Sequence, residues 1–474
     1  MIVLLLLGVF SFLFCLVLTP ICRDIFHRAG LVDRPDAERK FHLQAVPRVG
    51  GIPIVISCAG SFALLYLFFG NRGRIYIQHG QLLHAVLPAS TVIFAVGLID
   101  DLIGLKPWQK LLGQTVAASL AIFFGVRLTT AHMPPLIGVM ASFIWLICCT
   151  NAVNLIDGMD GLATGVSLLT TLTALMVALM FGRYGLALAT APLAGALLAF
   201  LKYNFSPASV FLGDSGSLTV GFMLGCFGLV WSQHTESLIG LAAPLMALAL
   251  PLTDVGLAIV RRFLRNAPIF QGDRGHIHHR ILALGFSTSR AALILYGACC
   301  AGATMALVVT MDSRRLGWPM LAIFVLLMAL GIKRLGYVEF SAARKLFSRF
   351  SLRRAVQEEI HLEELRTALS DAHTVEGSWH VVRIACRELQ FSSAHLKVGG
   401  MSFYEEFSAS DAAASCDIEL TLGHQSWLVL THSAEETSSR MSMAVLNQIQ
   451  SAMRKKLSEL QPSSMQVRAA TTAA

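Results

Sequence analysis

The stretch best suited to chemistry is Asn151-Ala-Val-Asn154-Leu-Ile-Asp157-Gly-Met-Asp160-Gly161-Leu-Ala-Thr-Gly165, set between strongly apolar runs. Carboxylates are expensive in hydrocarbon, so acids in such a place face a cavity, a partner or the water boundary. On a helix Asn151 and Asn154 share one face, with Asp157 less than a turn beyond. Gly158 and Gly161 loosen the backbone so that the polar end of one helix can open toward a ligand before the next begins. An ordinary interhelical turn explains the glycines; it explains four amide and acid groups poorly.

Three further clusters carry polar chemistry. In Gly97-Leu-Ile-Asp100-Asp101-Leu-Ile-Gly-Leu-Lys106-Pro107-Trp108-Gln109-Lys110, two adjacent carboxylates repel unless a cation or lysine neutralises them. Such a pair supplies a base or holds Mg²⁺; the plainer reading is an acidic helix end followed by snorkelling lysines. Asn204-Phe-Ser-Pro-Ala-Ser-Val-Phe211-Leu-Gly213-Asp214-Ser-Gly-Ser217 opens an apolar run with a carboxylate, hydroxyls and free helix amides. That set suits Mg²⁺ and phosphate together, although Asp and Ser also make ordinary caps. In Gly272-Asp273-Arg274-Gly275-His276-Ile-His278-His279-Arg280, three imidazoles and two guanidiniums could clamp a diphosphate. A zinc site is the rival there, but the Cys or acid partners it wants are not close by. Asp254 is left equally open between an ion pair with Arg261, two turns along, and a catalytic role.

The elements that must position these clusters are membrane helices. Of the 474 residues 55% are hydrophobic and 14% charged, the profile of a polytopic membrane protein and not of a soluble enzyme. Runs of spanning length cover about 1–22, 51–70, 84–100, 109–126, 135–153, 161–181, 185–201, 217–232, 238–259, 291–311 and 317–333. The expected fold is therefore all-α and polytopic, with about ten or eleven spans. Met1–Thr19 lacks a basic leader and a cleavage site, so it reads as a first span. Ten cysteines show no ligand spacing and read as packing. The 23–50 and 261–290 loops each carry six arginines or lysines, which assigns both to the cytoplasm. Alternation from there puts all four clusters at cytoplasmic ends of spans, where they can line one site. The net charge of +8 accordingly belongs to loops and membrane surface, and no nucleic-acid partner is expected.

The membrane-embedded domain is expected over residues 1–335. Residues 336–370 read as a helical linker at the membrane surface, basic first and acidic later. Residues 371–460 read as a small cytoplasmic α+β domain. Trp379, Val382, Cys386 and Leu389 recur at helical spacing, as do Val445, Ile449, Met453 and Leu457; Ile418, Leu420 and Leu422, then Trp427 and Val429, recur at strand spacing. Residues 461–474 are expected to be disordered.

Together the four clusters, in their order and on one leaflet, resemble the polyprenyl-phosphate N-acetylhexosamine-1-phosphate transferases of glycosyltransferase 4 type. The resemblance covers about residues 1–333. The His276-Ile-His278-His279 form is similar to the undecaprenyl-phosphate branch that uses UDP-N-acetylglucosamine; the branch that uses UDP-MurNAc-pentapeptide carries a consecutive His triplet. The resemblance implies transfer of a sugar 1-phosphate from a UDP-sugar to a polyprenyl phosphate, releasing UMP, as the first step of a lipid-linked envelope glycan. It implies Mg²⁺, with Mn²⁺ able to substitute, and a bacterial inner membrane with the site and tail facing the cytoplasm. Carried over by residue, Asp214 would bind the metal with Asn154 close by. Asp100 or Asp101 would orient or deprotonate the lipid phosphate, and Lys110 would contact the diphosphate. Asn151 lies in the same motif; Asp157, Asp160, Asn204 and Phe211 would hold the uridine, Phe211 by stacking. Arg274, His276, His278, His279 and Arg280 would grip the diphosphate and sugar. Lys40 and His42 are lining candidates on charge alone. The partners implied are the two substrates and membrane lipid, with room for a homodimer.

Two rivals come from other classes. A secondary transporter also uses intramembrane acids, but no inverted repeat is visible and the polar groups pool at one leaflet. A membrane scaffold acting through its tail would not need all four clusters intact.

Overall fold

The computed structural model describes residues 1–32, 45–78, 81–129, 134–233, 242–264, 275–335, 363–388, 391–407, 415–423, 426–433 and 449–460. The chain separates into two compact units, Met1–Val260 with Pro268–Leu335, and Arg261–Ala267 with Gly336–Ala474.

The first unit is helical. Its elements are α1 (Ile2–Arg28), α2 (Gly51–Gln78, broken at Gly70), α3 (Gln81–Ile103), α4 (Pro107–Phe123), α5 (Pro135–Ile156), α6 (Leu162–Met180) and α7 (Tyr184–Asn204). There follow α8 (Gly213–Ser232), α9 (Ala242–Ala247), α10 (Ala249–Leu264), α11 (Ile277–Ala283), α12 (Thr288–Met311) and α13 (Ser313–Arg334). Among the described residues nine helices are long and apolar enough to cross a membrane: α1, α2 up to Phe68, α3, α5, α6, α7, α8, α12 and α13. The protein is a multi-pass membrane protein, as its composition requires.

Two expected spans take another form. The 109–126 run is the 17-residue α4, and the 238–259 run is divided into α9 and α10. Pro251 supplies the physical reason for the division, because it has no N–H for the Ala247 carbonyl. That carbonyl accepts from Thr170 Oγ1 of α6 at 3.1 Å, the kind of repair a helix break needs inside a membrane.

The central element is α8. Its Gly213, Ser215, Gly216, Ser217, Gly221, Gly225 and Gly228 are all buried, and it packs against α3 and α5 most extensively and also against α2 and α6. Hydrocarbon gives little driving force between helices, so small residues that let backbones approach do the work. A Cβ at Gly97 of α3 would meet Ser215 Cα at 2.6 Å, and one at Gly221 would meet the Cys149 carbonyl of α5 at 2.8 Å. Trp145 Nε1 of α5 donates to the Gly225 carbonyl at 2.9 Å and ties the same crossing.

The second unit contains the expected small α+β fold: a four-stranded antiparallel sheet of order β2-β1-β4-β3, from β1 (Ser393–Val398), β2 (Met401–Glu406), β3 (Ser415–Gly423) and β4 (Ser426–Ser433). Leu396, Leu428 and Leu430 share a core with Val382 and Cys386 of the Val375–Glu388 helix and with Ile449, Met453 and Leu457. In β4 the inward residues are Leu428 and Leu430, whereas Trp427 and Val429, which marked the strand by spacing, are half-buried. The run Trp427-Leu-Val-Leu430 is apolar on both parities, so alternation alone does not choose its face. Leu389, Val445, most of the 336–370 segment and residues 461–474 lie outside the described residues.

Candidate active site

The site forms where the ends of α3, α4, α5 and α8 meet. Pro107 opens α4 at a position whose N–H would be unbonded anyway, and the Gln109 side chain reaches back to the Lys106 N–H at 2.8 Å. That cap fixes the first turn carrying Lys110. Its ammonium lies 2.8 Å from Asp100 Oδ2 and 2.6 Å from Asp214 Oδ2, bridging α3 and α8. The other Asp100 oxygen accepts the Leu105 N–H at 2.6 Å.

The adjacent Asp101 does a different job. Its Oδ1 accepts the Asp214 N–H at 2.8 Å and its Oδ2 the Ser215 N–H at 2.9 Å. One carboxylate thus caps the first turn of α8 from another helix, satisfying two amides that the helix leaves unpaired and meeting the positive end of its dipole. Gly213 makes room for it. Its φ is +71°, a region that suits glycine, and a Cβ there would lie 2.8 Å from Asp101 Oδ2.

The central motif closes α5 and starts α6. Asn154 Nδ2 donates to Ser217 Oγ of α8 at 2.8 Å, which leaves its carbonyl oxygen as a ligating atom. Asn151 pairs with Gln114 of α4 through two amide–amide hydrogen bonds, Gln114 Nε2 donating to Asn151 Oδ1 at 3.2 Å and Asn151 Nδ2 donating to Gln114 Oε1 at 2.7 Å. Asp157 caps the end of α5, and its carboxyl is pushed well above the usual range, first by burial and then by the charges of Asp214, Asp101 and Asp160; Arg48 opposes the shift. Gly161, at φ +75°, starts α6 and gives its carbonyl to the Tyr296 hydroxyl of α12 at 2.6 Å.

Asp160 and Asn204 shape the connection that carries Phe211. Asp160 Oδ2 accepts the Ala208 N–H at 3.0 Å; Asn204 accepts from Thr164 Oγ1 at 2.6 Å and donates to the Val210 carbonyl at 2.9 Å. Phe211 is bridged in parallel to Arg48, with Phe211 N–H on the Pro47 carbonyl and Gly50 N–H on the Phe211 carbonyl. The end of the first basic loop is thereby tied to the start of α8. A cavity of about 270 Å³ beside it is lined by Arg48, Asp101, Phe26, Leu31, Leu98 and Leu102, among others.

The histidine cluster sits at α11. His276 and His278 are buried, and the His278 ring lies against Gly158, where a Cβ would come within 3.0 Å of its Nε2. Burial, then the neighbouring His279, holds the His278 imidazole down at about 3. His278 is therefore neutral near pH 7, and its buried ring carries no charge into the site. Arg280 donates to the Leu335 carbonyl at 3.1 Å. Asp254, for which the sequence suggested Arg261 or a catalytic role, instead holds His276 Nδ1 at 2.9 Å. Lys40, His42 and Arg274 lie outside the described residues.

Known sequences bear on this geometry. A sequence model of glycosyl transferase family 4 matches residues 83–232, which takes in the acidic pair, the Asn/Asp motif and the start of α8 but not the histidine cluster. The chain is 32% identical over 294 residues to the probable undecaprenyl-phosphate N-acetylglucosaminyl 1-phosphate transferase of Bacillus subtilis, covering 60% of this chain and 79% of that protein. The chain belongs to glycosyl transferase family 4. This family 4 transferase is also 34% identical over 304 residues to the decaprenyl-phosphate N-acetylglucosaminephosphotransferase of Mycobacterium tuberculosis, covering 58% of this chain and 74% of the relative. To the undecaprenyl-phosphate alpha-N-acetylglucosaminyl 1-phosphate transferase of Escherichia coli K12 it is 26% identical over 328 residues, covering 66% and 86%.

Sequence reasoning missed several residues that build the family 4 site. Gln114 carried a signal, standing one helical turn after Lys110 in an apolar run. Thr164 and Ser217 stood inside quoted motifs without a role. Arg48 was noted only as loop charge. Tyr296, in an apolar run more than a hundred residues from Gly161, carried none.

Among the described residues no three His, Cys, Asp or Glu side chains converge as a ready-made metal site. The donor set still fits Mg²⁺, which is typically held by one or two carboxylates together with substrate phosphates and water. Asp214, Asp101 and Asp160 all press their negative charge on buried Asp157, and Ser215 Oγ is buried without a hydrogen-bond partner.

Proposed function

We propose that the chain transfers N-acetylglucosamine 1-phosphate from UDP-N-acetylglucosamine to a polyprenyl phosphate, giving a lipid-diphosphate sugar and UMP. The observation that carries this reading is the Lys110 ammonium bridging Asp100 and Asp214 at the start of α8, beside a carboxylate cap that fixes α8 in place. The relatives named above act on undecaprenyl or decaprenyl phosphate by name, which supports the acceptor class.

In this reaction an oxygen of the lipid phosphate forms a bond to the sugar-bearing phosphorus. The bond from that phosphorus to the bridging oxygen breaks, and UMP leaves with the electron pair. Such transfers depend on positioning and charge neutralisation more than on covalent chemistry. Asp214, with the Asn154 carbonyl, would hold Mg²⁺, which when bound neutralises the diphosphate and the developing charge. Lys110 holds Asp100 and Asp214 together and places a positive charge where phosphate oxygens gather. Both carboxylates are engaged, Asp101 by two α8 amides and Asp100 by the Leu105 N–H and the Lys110 ammonium; Asp100, which shares Lys110 with Asp214, would orient the lipid phosphate or take its proton. Phe211, on the loop held by Asp160 and Asn204, offers a stacking face for the uracil. The site opens to the cytoplasmic side of a bacterial inner membrane, where the basic loops lie.

A panel of radiolabelled UDP-N-acetylhexosamines, tested with membranes and polyprenyl phosphate, checks the donor. Lipid-linked label is expected with UDP-N-acetylglucosamine. Label only from another UDP-sugar, UDP-MurNAc-pentapeptide included, would replace the donor, and label from none would remove the reading.

A further inference from the structure

Asp254 on α10 takes no part in the chemistry described so far, yet it is 1% exposed and both of its oxygens are engaged. Oδ2 lies 2.9 Å from His276 Nδ1, and Oδ1 accepts the Ile277 N–H at 2.8 Å. His276 is the N-cap residue of α11, so one carboxylate both caps that helix and holds the ring preceding it.

A carboxylate can only accept, so Nδ1 must carry the proton, and in the neutral ring Nε2 keeps its lone pair. The ring is fixed on its other side as well. It stacks on His278 with centroids 5.7 Å apart and planes 8° from parallel, and His278 abuts Gly158 of the central motif. Both nitrogens of His278 are sealed from solvent without a hydrogen-bond partner, whereas Asp254 engages only Nδ1 of His276, so a ligand of that ring would meet Nε2.

We propose that Asp254 is a positioning residue that locks His276 with Nδ1 protonated, presenting Nε2 as an acceptor to a hydroxyl or acetamido N–H of the donor sugar. This rests on the sugar-nucleotide reading above and deepens it. An acceptor nitrogen has nothing to offer the oxygens of an anionic diphosphate, which carry no proton. It matches the hydroxyls and the amide of an N-acetylhexosamine. His276 therefore reads the sugar, leaving the diphosphate to the cationic groups.

The test is Asp254→Asn in the full chain. Its side-chain carbonyl can still accept the Ile277 N–H and keep the cap, while its NH₂ faces Nδ1 and drives the proton to Nε2. The kcat/KM for UDP-N-acetylglucosamine should fall between about ten- and a hundredfold, by analogy with the loss of the carboxylate that orients a metal-ligating imidazole. The inhibition constant of UDP, which lacks the sugar, and the thermal midpoint should not move. His276→Gln should show the same split, and adding Asp254→Asn to it should cost nothing further. Selective ¹⁵N-histidine spectra, assigned with His276→Gln, should show Nδ1–H in the wild type and Nε2–H in Asp254→Asn.

An unchanged kcat/KM with the tautomer switched would reduce Asp254 to a cap. An equal loss of UDP affinity in either variant would put His276 on the diphosphate and overturn the proposal. The spectra do not depend on turnover. If the wild type fails to transfer from UDP-N-acetylglucosamine while the tautomer behaves as stated, the functional reading has failed and the lock has not.

Discussion

Asp214→Asn separates a structural acid from a working one, because the structure fixes what the substitution leaves intact. The backbone N–H of residue 214 still reaches Asp101 at 2.8 Å, so the α8 cap survives. Lys110 loses a partner at 2.6 Å but keeps Asp100 at 2.8 Å, and its side chain is 26% exposed. Breaking a fully buried pair costs about 3–5 kcal/mol by leaving an uncompensated charge; here the lysine stays paired and partly solvated, so the cost should stay below about 1 kcal/mol. The change also relieves the repulsion that Asp214 exerts on Asp157. Folding should therefore be almost unaffected. In the proposed reaction the transition state loses the negative group that would hold the metal against the diphosphate. Removing one preorganised electrostatic contact typically slows turnover at least about a hundredfold, and about 4 kcal/mol would make it roughly a thousandfold, at 1.36 kcal/mol per decade. UMP release by purified protein, with thermal unfolding of the same sample, measures both quantities. Normal unfolding with near-wild-type release would make Asp214 a cap and remove the proposed metal site with it.

Four other outcomes are expected. EDTA should abolish UMP release, and Mg²⁺ or Mn²⁺ should restore it; full turnover after exhaustive chelation would refute the metal assignment. Gly213→Ala should lower both turnover and the thermal midpoint, since φ +71° strains a side chain by about 1–2 kcal/mol and the new Cβ pushes on Asp101. Gly182→Ala, at φ +64° with nothing within 4 Å, carries the strain alone and should leave turnover per folded molecule unchanged. The depressed His278 imidazole gives a pH signature: the unfolded ring binds a proton near pH 6.5 and the folded one only at about 3. Stability from this group is fully present above pH 6.5 and lost as pH falls toward 3, by about 2 kcal/mol at pH 5; His278→Gln should flatten that part of the profile of thermal midpoint against pH. A chain ending after residue 345 should keep its turnover per folded molecule, because every described reactive cluster precedes α12.

Much of this molecule was legible in its sequence because a membrane permits few solutions. Apolar length marked the spans, and basic loops predicted that the polar clusters would meet. What stayed hidden depended on partners far along the chain. Asp100 and Asp101 are chemically identical neighbours, and only the first turn of α8, 113 positions away, gives them separate jobs. Asp254 offered a local partner in Arg261, whereas its actual partner is 22 positions on and belongs to another helix. The division between α9 and α10 follows from Pro251, but the repair by Thr170 is a tertiary event that no local pattern announces.

The most direct test of the central claim uses UDP-N-acetylglucosamine labelled with ³²P in the sugar-bearing phosphate, given to purified protein with polyprenyl phosphate and Mg²⁺. Transfer of the sugar 1-phosphate predicts that the label moves into the lipid while unlabelled UMP accumulates in equal amount. Label retained in released UDP, with an unlabelled sugar on the lipid, would mean that the sugar alone was transferred and would contradict the phosphoryl-transfer account.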